Sequence, residues 1–213
     1  LALRQVKNNT IIAFMENKED EKTTEYVDIS KSSTKKEGVW DLIKFIIIAI
    51  AIVLPIRALI AQPFIVSGSS MFPTFKDNQY LIVDQISYRF EDPKRGDIVI
   101  FRYPIDPSKF FIKRVIGLPN ENVSIENGVI TITEEDGSQK TLNEPYLEID
   151  RESKDTLDVQ LKDGEYFVMG DNRIASSDSR TWGVLPRKNV IGKALFRLLP
   201  TDSISVDPGE YRY

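Results

Sequence analysis

"VSGSSMFPTF", residues 66–75, sets three serines around one glycine just ahead of a proline. It ends the stretch "WDLIKFIIIAIAIVLPIRALIAQPFIV" (40–66), whose centre, 45–56, is wholly apolar. With Leu42, Ile43 and residues 58–61 the run reaches about 20 residues, the length that crosses a bilayer. Lys44 and Arg57 lie near its ends, where long cationic stems reach the interface. The run has no polar face, so a membrane helix over 40–62 is expected rather than a buried core helix. It is longer than the apolar region of a cleaved leader and has no clear A-x-A site after it. Small hydroxyl residues thus stand where the chain leaves a membrane.

Flanking charge gives the orientation. Lysines 31, 35, 36 and 44 precede the run, and residues 61–75 carry no charge. By the positive-inside rule the N-terminus is cytoplasmic and everything after the span is outside. The expected organisation is a polar, disordered cytoplasmic tail (1–39), a transmembrane helix (40–62) and an extracytoplasmic domain (63–213). The tail is rich in Lys, Glu, Ser and Thr and too polar to bury a core. Met15 opens this polar stretch, so residues 1–14 read either as an extension ahead of the start or as a start from an unusual codon. "SSTK" (32–35) matches a serine-to-lysine spacing of penicillin-recognising enzymes, but it has no partner motifs and reads as chance.

Composition excludes several chemistries. The net charge of -4 argues against a nucleic-acid binder. With no cysteine there is no disulfide framework and no thiolate zinc site. With no histidine there is no Ser-His-Asp or Cys-His arrangement, and most catalytic zinc sites are removed as well. No metal-ligand cluster or phosphate-binding loop is visible, so no metal or cofactor is expected.

Beyond the apolar run the pattern is mainly β. Segments 79–90, 96–104 and 110–118 are rich in β-branched and aromatic residues and bounded by turn signals. Asn127-Gly128 between two short runs signals a hairpin over 122–133. Segments 165–172 and 189–199 add two candidate strands, and 134–164 is charged and loop-like, with room for one more strand or hairpin. The expected fold is an antiparallel β-sheet domain behind one helix.

A serine becomes a nucleophile only if a base takes its proton. Without histidine, lysine is the best remaining base, provided desolvation lowers its pKa from about 10.4. Lys113, in "FFIKRVIG", is embedded in an apolar strand, where alternation puts Phe111, Lys113 and Val115 on one face. A strand lysine also commonly serves as a soluble edge residue, so this signal alone is weak. "MGDNRIASSDSRTWG" (169–183) reads either as a surface loop with Asx-turns or as a support in which Ser176 holds the lysine and Asp178 pairs with Arg180.

In these segments the sequence resembles a bacterial type I signal peptidase, a membrane-anchored Ser/Lys endopeptidase. The likeness is carried by "SGSSMFPT" (67–74), "RGDIVIF" (95–101), "FIKRVIGLP" (111–119), "LNEPYL" (142–147) and "GDNRIASSDSRTWG" (170–183), in order and spacing. The resemblance implies Ser70, directly before Met-x-Pro, as nucleophile and Lys113 as general base. It implies Ser176 as the serine that hydrogen-bonds the lysine, and Asp178 with Arg180 as a supporting pair. It also implies an apolar, membrane-associated surface around the site.

The chain departs from the pattern at three points. Gly68 stands where some members carry a hydroxyl donor to the oxyanion, leaving Ser67 or Ser69 to supply one. "GLPNEN" replaces a common G-x-P-G-D turn, and Ile174 replaces a polar residue. The implied substrates are signal peptides of secretory pre-proteins, cut after small residues that fit shallow apolar pockets. Ile65, Val66 and 81–83 are candidates to line those pockets. The implied partners are the lipid bilayer and, transiently, the secretion translocon. Two other readings stand beside this one: a self-cleaving repressor-type Ser/Lys protease, and a membrane-tethered β domain that binds a partner without catalysis.

The charge asymmetry predicts a topology. Protease added to intact spheroplasts should digest the domain after residue 66 and spare residues 15–40; the reverse protection pattern would overturn the orientation.

Overall fold

The computed structural model describes residues 3–6, 10–13, 35–55, 61–148 and 155–213. Two compact units, Leu1–Val53 and Leu54–Tyr213, divide the chain. In the first, β1 (Leu3–Val6) pairs antiparallel with β2 (Thr10–Ala13). Helix α1 covers Lys35–Pro55, so it begins five residues before the expected 40. Trp40, Leu42, Phe45 and Ile46 through Val53 supply its large side chains, and most of these are exposed. Among the described residues no helix is long and apolar enough to cross a membrane. Residues 56–60 of the expected span, and most of the expected disordered tail, lie outside the described residues. Ala61 and Gln62, expected at the end of the span, are instead in a strand.

The second unit is two antiparallel sheets. Its strands are β3 (Ala61–Ile65), β4 (Tyr80–Asp84), β5 (Ile98–Arg102), β6 (Phe110–Gly117), β7 (Asn122–Glu126), β8 (Val129–Thr133), β9 (Gln139–Thr141), β10 (Leu157–Gln160), β11 (Glu165–Met169), β12 (Leu185–Pro186), β13 (Val190–Leu199) and β14 (Ser205–Val206). The larger sheet runs β12-β11-β6-β5-β13-β4-β3, with β14 on β13; the smaller runs β10-β7-β8-β9. The mainly β expectation is thus met.

Strand β5 shows why the larger sheet is stable. Its apolar residues alternate between two cores: Ile98 and Ile100 pack with Val66, Met71, Phe75, Leu81 and Val83, while Val99 and Phe101 pack with Tyr88, Val115, Tyr166, Val168 and Leu185. A strand covered on both faces reads as a continuous apolar run, as "IVIF" does. Each such side chain fully buried contributes about 1.5–3 kcal/mol.

In the smaller sheet only one face is buried. Val123, Ile125, Ile130 and Ile132 point inward onto Ile116, Phe167 and Met169 of the larger sheet. The hairpin at Asn127-Gly128 forms as expected, both residues having positive φ (51° and 85°), which a tight two-residue turn requires.

Three segments differ from the sequence reading. Strand character over 79–90 stops at Asp84, whose carboxylate accepts from the backbone N–H groups of Ile86 and Ser87 and from Ser87 Oγ. The chain then turns into a short helix, α2 (Ser87–Phe90). Strand β11 ends at Met169, and the rest of 165–172 is turn. Segment 134–164 holds two strands, β9 and β10, each pairing outside the β7–β8 hairpin.

Gly117 ends β6 where the two sheets meet. A Cβ there would lie 2.4 Å from Val123 Cγ2, 2.8 Å from Leu161 Cδ1 and 3.1 Å from Phe167 Cβ. Gly117→Ala should therefore destabilise the domain by about 1–3 kcal/mol through overpacking, read as a lower urea midpoint. An unchanged midpoint would mean the sheets can separate freely.

Candidate active site

Lys113 sits in the middle of β6, paired with Val99 of β5, two residues from the Phe111–Phe101 pair on the same face. Its side chain runs into the protein and is only 3% exposed. Nζ lies 2.8 Å from Ser70 Oγ and donates to the carbonyl of Ile112 at 2.9 Å. The Phe111 ring, itself stacked on Tyr103, lies 5.4 Å from Nζ. Burial lowers the lysine pKa from 10.5 to about 8, against the opposing pull of the Asp178 and Asp171 carboxylates. An amine with that pKa is still mostly protonated near pH 7, but its neutral fraction is far larger than a free lysine's, and that fraction can accept a proton.

Ser70 stands in the loop from β3 to β4. The base of the loop is closed by Val66 N–H donating to Gln79 O and Asn78 N–H donating to Val66 O. Met71 and Phe75 anchor the loop in the core. Gly68 has φ +90°, a conformation that favours glycine, and its N–H donates to Asp77 Oδ1 at 2.7 Å. Gly68 therefore shapes the loop and has no donor left for a substrate. The Ser70 N–H has no hydrogen-bond partner among the described residues.

The turn after β11 fixes this loop from the other side. Asn172 donates its N–H to Ser70 O and its Nδ2 to Ser69 O, both at 3.0 Å. Thr74 Oγ1 donates to Asp171 at 2.5 Å. Gly170 lies so close that a Cβ would come within 2.3 Å of Ser70 O and 2.2 Å of Ser176 Oγ. Only glycine fits between the two serines.

The Asp178–Arg180 pair forms as expected. Asp178 is fully buried and accepts from Arg180 Nε and Nη2, both at 2.8 Å, and from Gly170 N–H at 3.0 Å. Burial alone would raise its pKa; the Arg180 hydrogen bonds and charge outweigh this and hold it below the ordinary carboxylate range. Asp178 also caps the short helix α3 (Ser179–Trp182). Arg180 reaches on to Asp155 and to the carbonyl of Arg173.

Ser176 is brought to the site, but the hydrogen bond expected between it and Lys113 is not formed. Its buried Oγ has no partner at hydrogen-bond length, although it is near enough to Asp178 to add to the lowering of that carboxyl. The lysine's donors go to Ser70 and Ile112, which leaves the Ser176 hydroxyl behind Gly170.

Several supports were not singled out from the sequence. Arg114, next to Lys113 but on the opposite face of β6, is fully buried and bidentate to Asp171 (2.8 and 2.7 Å). Its Nη1 donates to the carbonyls of Gly96 and Gly209. Asn172 and the buried Arg173–Glu144 pair belong to the same framework. Their letters lie within the quoted motifs, but pairings across 57 and 29 residues have no local signature.

A cleft of about 450 Å³ opens beside Ser70 and Lys113. Ile65, Val66 and Leu81 line it as expected, together with Phe64, Ile100 and Phe110. Ile82 and Val83 do not; Val83 is buried in the core below. Ser67 lines the cleft too, whereas the Ser69 carbonyl faces Asn172. Aliphatic and aromatic side chains make most of its wall, with Ser67, Ser177 and Lys109 adding polar groups. Among the described residues no group of three acidic side chains could hold a metal ion.

Residues 39–199 match the family model described as signal peptidase, peptidase S26. The chain is 38% identical over 172 residues to a probable signal peptidase I-1 of Synechocystis, covering 76% of this chain and 85% of that protein. It is 36% identical over 184 residues to a signal peptidase I of Bacillus licheniformis, covering 82% and 96%. A crystal structure of a signal peptidase I from Enterococcus faecalis aligns at 28% identity and TM-score 0.42, over 48% of this chain and 97% of that one.

The buried lysine also predicts a pH-dependent stability. Its folded pKa, about 8, lies below the unfolded value of 10.5, so folding at lower pH forces the lysine to lose a proton or be buried charged. The cost is fully present below about 8 and vanishes above 10.5. Wild type should gain about 3 kcal/mol relative to a Lys113→Met variant between pH 7 and 10.5, at about 1.4 kcal/mol per pKa unit. Urea unfolding at both pH values measures this; a constant difference would mean that Nζ is solvated.

Proposed function

The chain belongs to the signal peptidase family, peptidase S26, and we propose that within it Ser70 is the nucleophile and Lys113 the general base of a serine endopeptidase that removes signal peptides from pre-proteins. The observation that carries this reading is a desolvated lysine amine 2.8 Å from a serine hydroxyl in a chain that has no histidine.

Neutral Lys113 takes the Ser70 proton as Oγ attacks the scissile carbonyl. The oxyanion that forms accepts from the free Ser70 N–H, with the Ser67 hydroxyl the nearest candidate for a second donor in place of Gly68. Protonated Lys113 then gives its proton to the leaving amine, and the signal peptide stays as an ester on Ser70. Lys113 next takes a proton from water, whose attack releases the peptide acid and restores the serine. Asp178, braced by Arg180, holds the turn behind the dyad by accepting from Gly170 N–H, and Ser176 packs beside Gly170.

The substrate geometry fits the same reading. Strand β3 is the last strand of the larger sheet and leads straight into the Ser70 loop, so an extended peptide has an unpaired edge to lie along. The apolar cleft accepts the side chains just before the cut. The apolar run ahead of β3 anchors the enzyme in the cytoplasmic membrane as a single span, N-terminus inside and catalytic domain outside. Ser70 then meets cleavage sites as they emerge at the outer surface, close to the translocon that delivers them.

Ser70→Ala and Lys113→Ala should each cut kcat by about 10⁴-fold or more with the fold intact, and the double variant should be no worse, because the pair acts as a unit. The wild-type kcat/KM should rise with pH through about 8 as Lys113 loses its proton. Cleavage of a secretory precursor, with N-terminal sequencing of the product, checks both. Near wild-type rates in either single variant, or a limb only near 10.5, would remove the dyad assignment.

A further inference from the structure

We propose that the Glu144–Arg173 ion pair is a positioning device that aims Ser70 at Lys113; this rests on the Ser70–Lys113 reading above. Glu144 takes both guanidinium Nη atoms of Arg173, at 2.7 and 2.5 Å, with both side chains nearly excluded from solvent. The third guanidinium nitrogen, Nε, donates to Gly170 O at 3.1 Å. Arg173 therefore ties the turn after β11 to segment 142–147.

That turn touches the serine loop next to the nucleophile. Gly170 lies against Ser70 O, and Asn172 donates to the carbonyls of Ser70 and Ser69. The far end of the tie is equally fixed. Leu142 is buried in the core shared by the two sheets, and its N–H donates to Ile130 O. Tyr146 Oη donates to Glu144 at 2.5 Å, Tyr213 Oη donates to it at 3.3 Å, and the two tyrosine hydroxyls also touch. The Tyr146 ring lies 3.9 Å under the Arg114 guanidinium, which holds Asp171 and, through it, Thr74 of the serine loop. A continuous path of contacts thus runs from the smaller sheet, through Glu144 and Arg173, to the carbonyls of Ser69 and Ser70, on either side of the Ser70 Cα.

Stability alone does not call for such a pair, because apolar residues of similar size often replace a buried ion pair without loss. Register does call for it, since the guanidinium fork fixes Gly170 O relative to Glu144 in distance and in direction. Glu144 touches neither reacting atom. Losing it should leave the basicity of Lys113 and the cleft alone and should misplace Ser70 Oγ.

The test uses the full chain in detergent with one fluorogenic signal-peptide substrate. Glu144→Gln and the apolar double variant Glu144→Leu/Arg173→Met are compared with wild type and with Ser70→Ala, each rate normalised to folded protein. The double variant removes the buried charges together, so it keeps a test open if the single one unfolds. Both should lower kcat by about tenfold or more, the scale set by a misplaced reacting group. KM should stay within about twofold and the pH midpoint should be unmoved, with the double variant melting within a few degrees of wild type. Wild-type kcat in either folded variant, a change confined to KM, or a shifted pH midpoint would overturn the proposal. Activity surviving in Ser70→Ala would instead overturn the dyad reading, whatever the Glu144 variants do.

Discussion

A lysine amine held out of water beside a serine hydroxyl is the constraint around which the catalytic domain is organised. Nζ of Lys113 can act as a base only in dry surroundings, and dry surroundings penalise every other unpaired polar group nearby. The structure meets that penalty with pairing. Arg114 holds Asp171, Arg180 holds Asp178, and Arg173 holds Glu144, each through two guanidinium contacts. The leftover donors are spent on the carbonyls of Gly96, Gly209, Gly170 and Arg173. The Asp178 and Asp171 carboxylates pull the lysine pKa up, but burial prevails.

The sheets make this environment possible. Strand β6 presents Lys113 to one face and Arg114 to the other, so consecutive residues serve different tasks in different cores. Its neighbours β5 and β11 are apolar on both faces and exclude water on either side. The smaller sheet closes over Ile116, Phe167 and Met169, and Gly117 permits the close approach. Glycine recurs at Gly170 for a comparable reason: the backbone there must pass between the Ser70 carbonyl and the Ser176 side chain.

This arrangement suits cleavage of an extended, apolar peptide. The cleft has largely aliphatic and aromatic walls, the proposed nucleophile lines it, and the edge strand β3 contributes Phe64 and Ile65 to it. Family membership and geometry point the same way, with one difference from the expected pattern. Ser176 packs beside Gly170 and does not bond the lysine.

The sequence by itself determined much of this. The absence of histidine left lysine as the best candidate base, apolar alternation marked Lys113 as a candidate for burial, and Asn127-Gly128 defined a hairpin, because each is a local property of composition or of a few consecutive residues. The proposed dyad residues and the Asp178–Arg180 pair could be picked out as candidates because they sit in short motifs. The tertiary structure decided what depends on distance through space. Asp84 ended a strand that its β-rich letters would have continued, since its carboxylate competes locally for backbone donors. Ala61 and Gln62, read as the end of the apolar run, belong to β3 because they pair with β4. Arg114 with Asp171 and Arg173 with Glu144 could not be read in advance: a buried charge is recognised only when its partner, 57 or 29 residues away, is brought within hydrogen-bond reach.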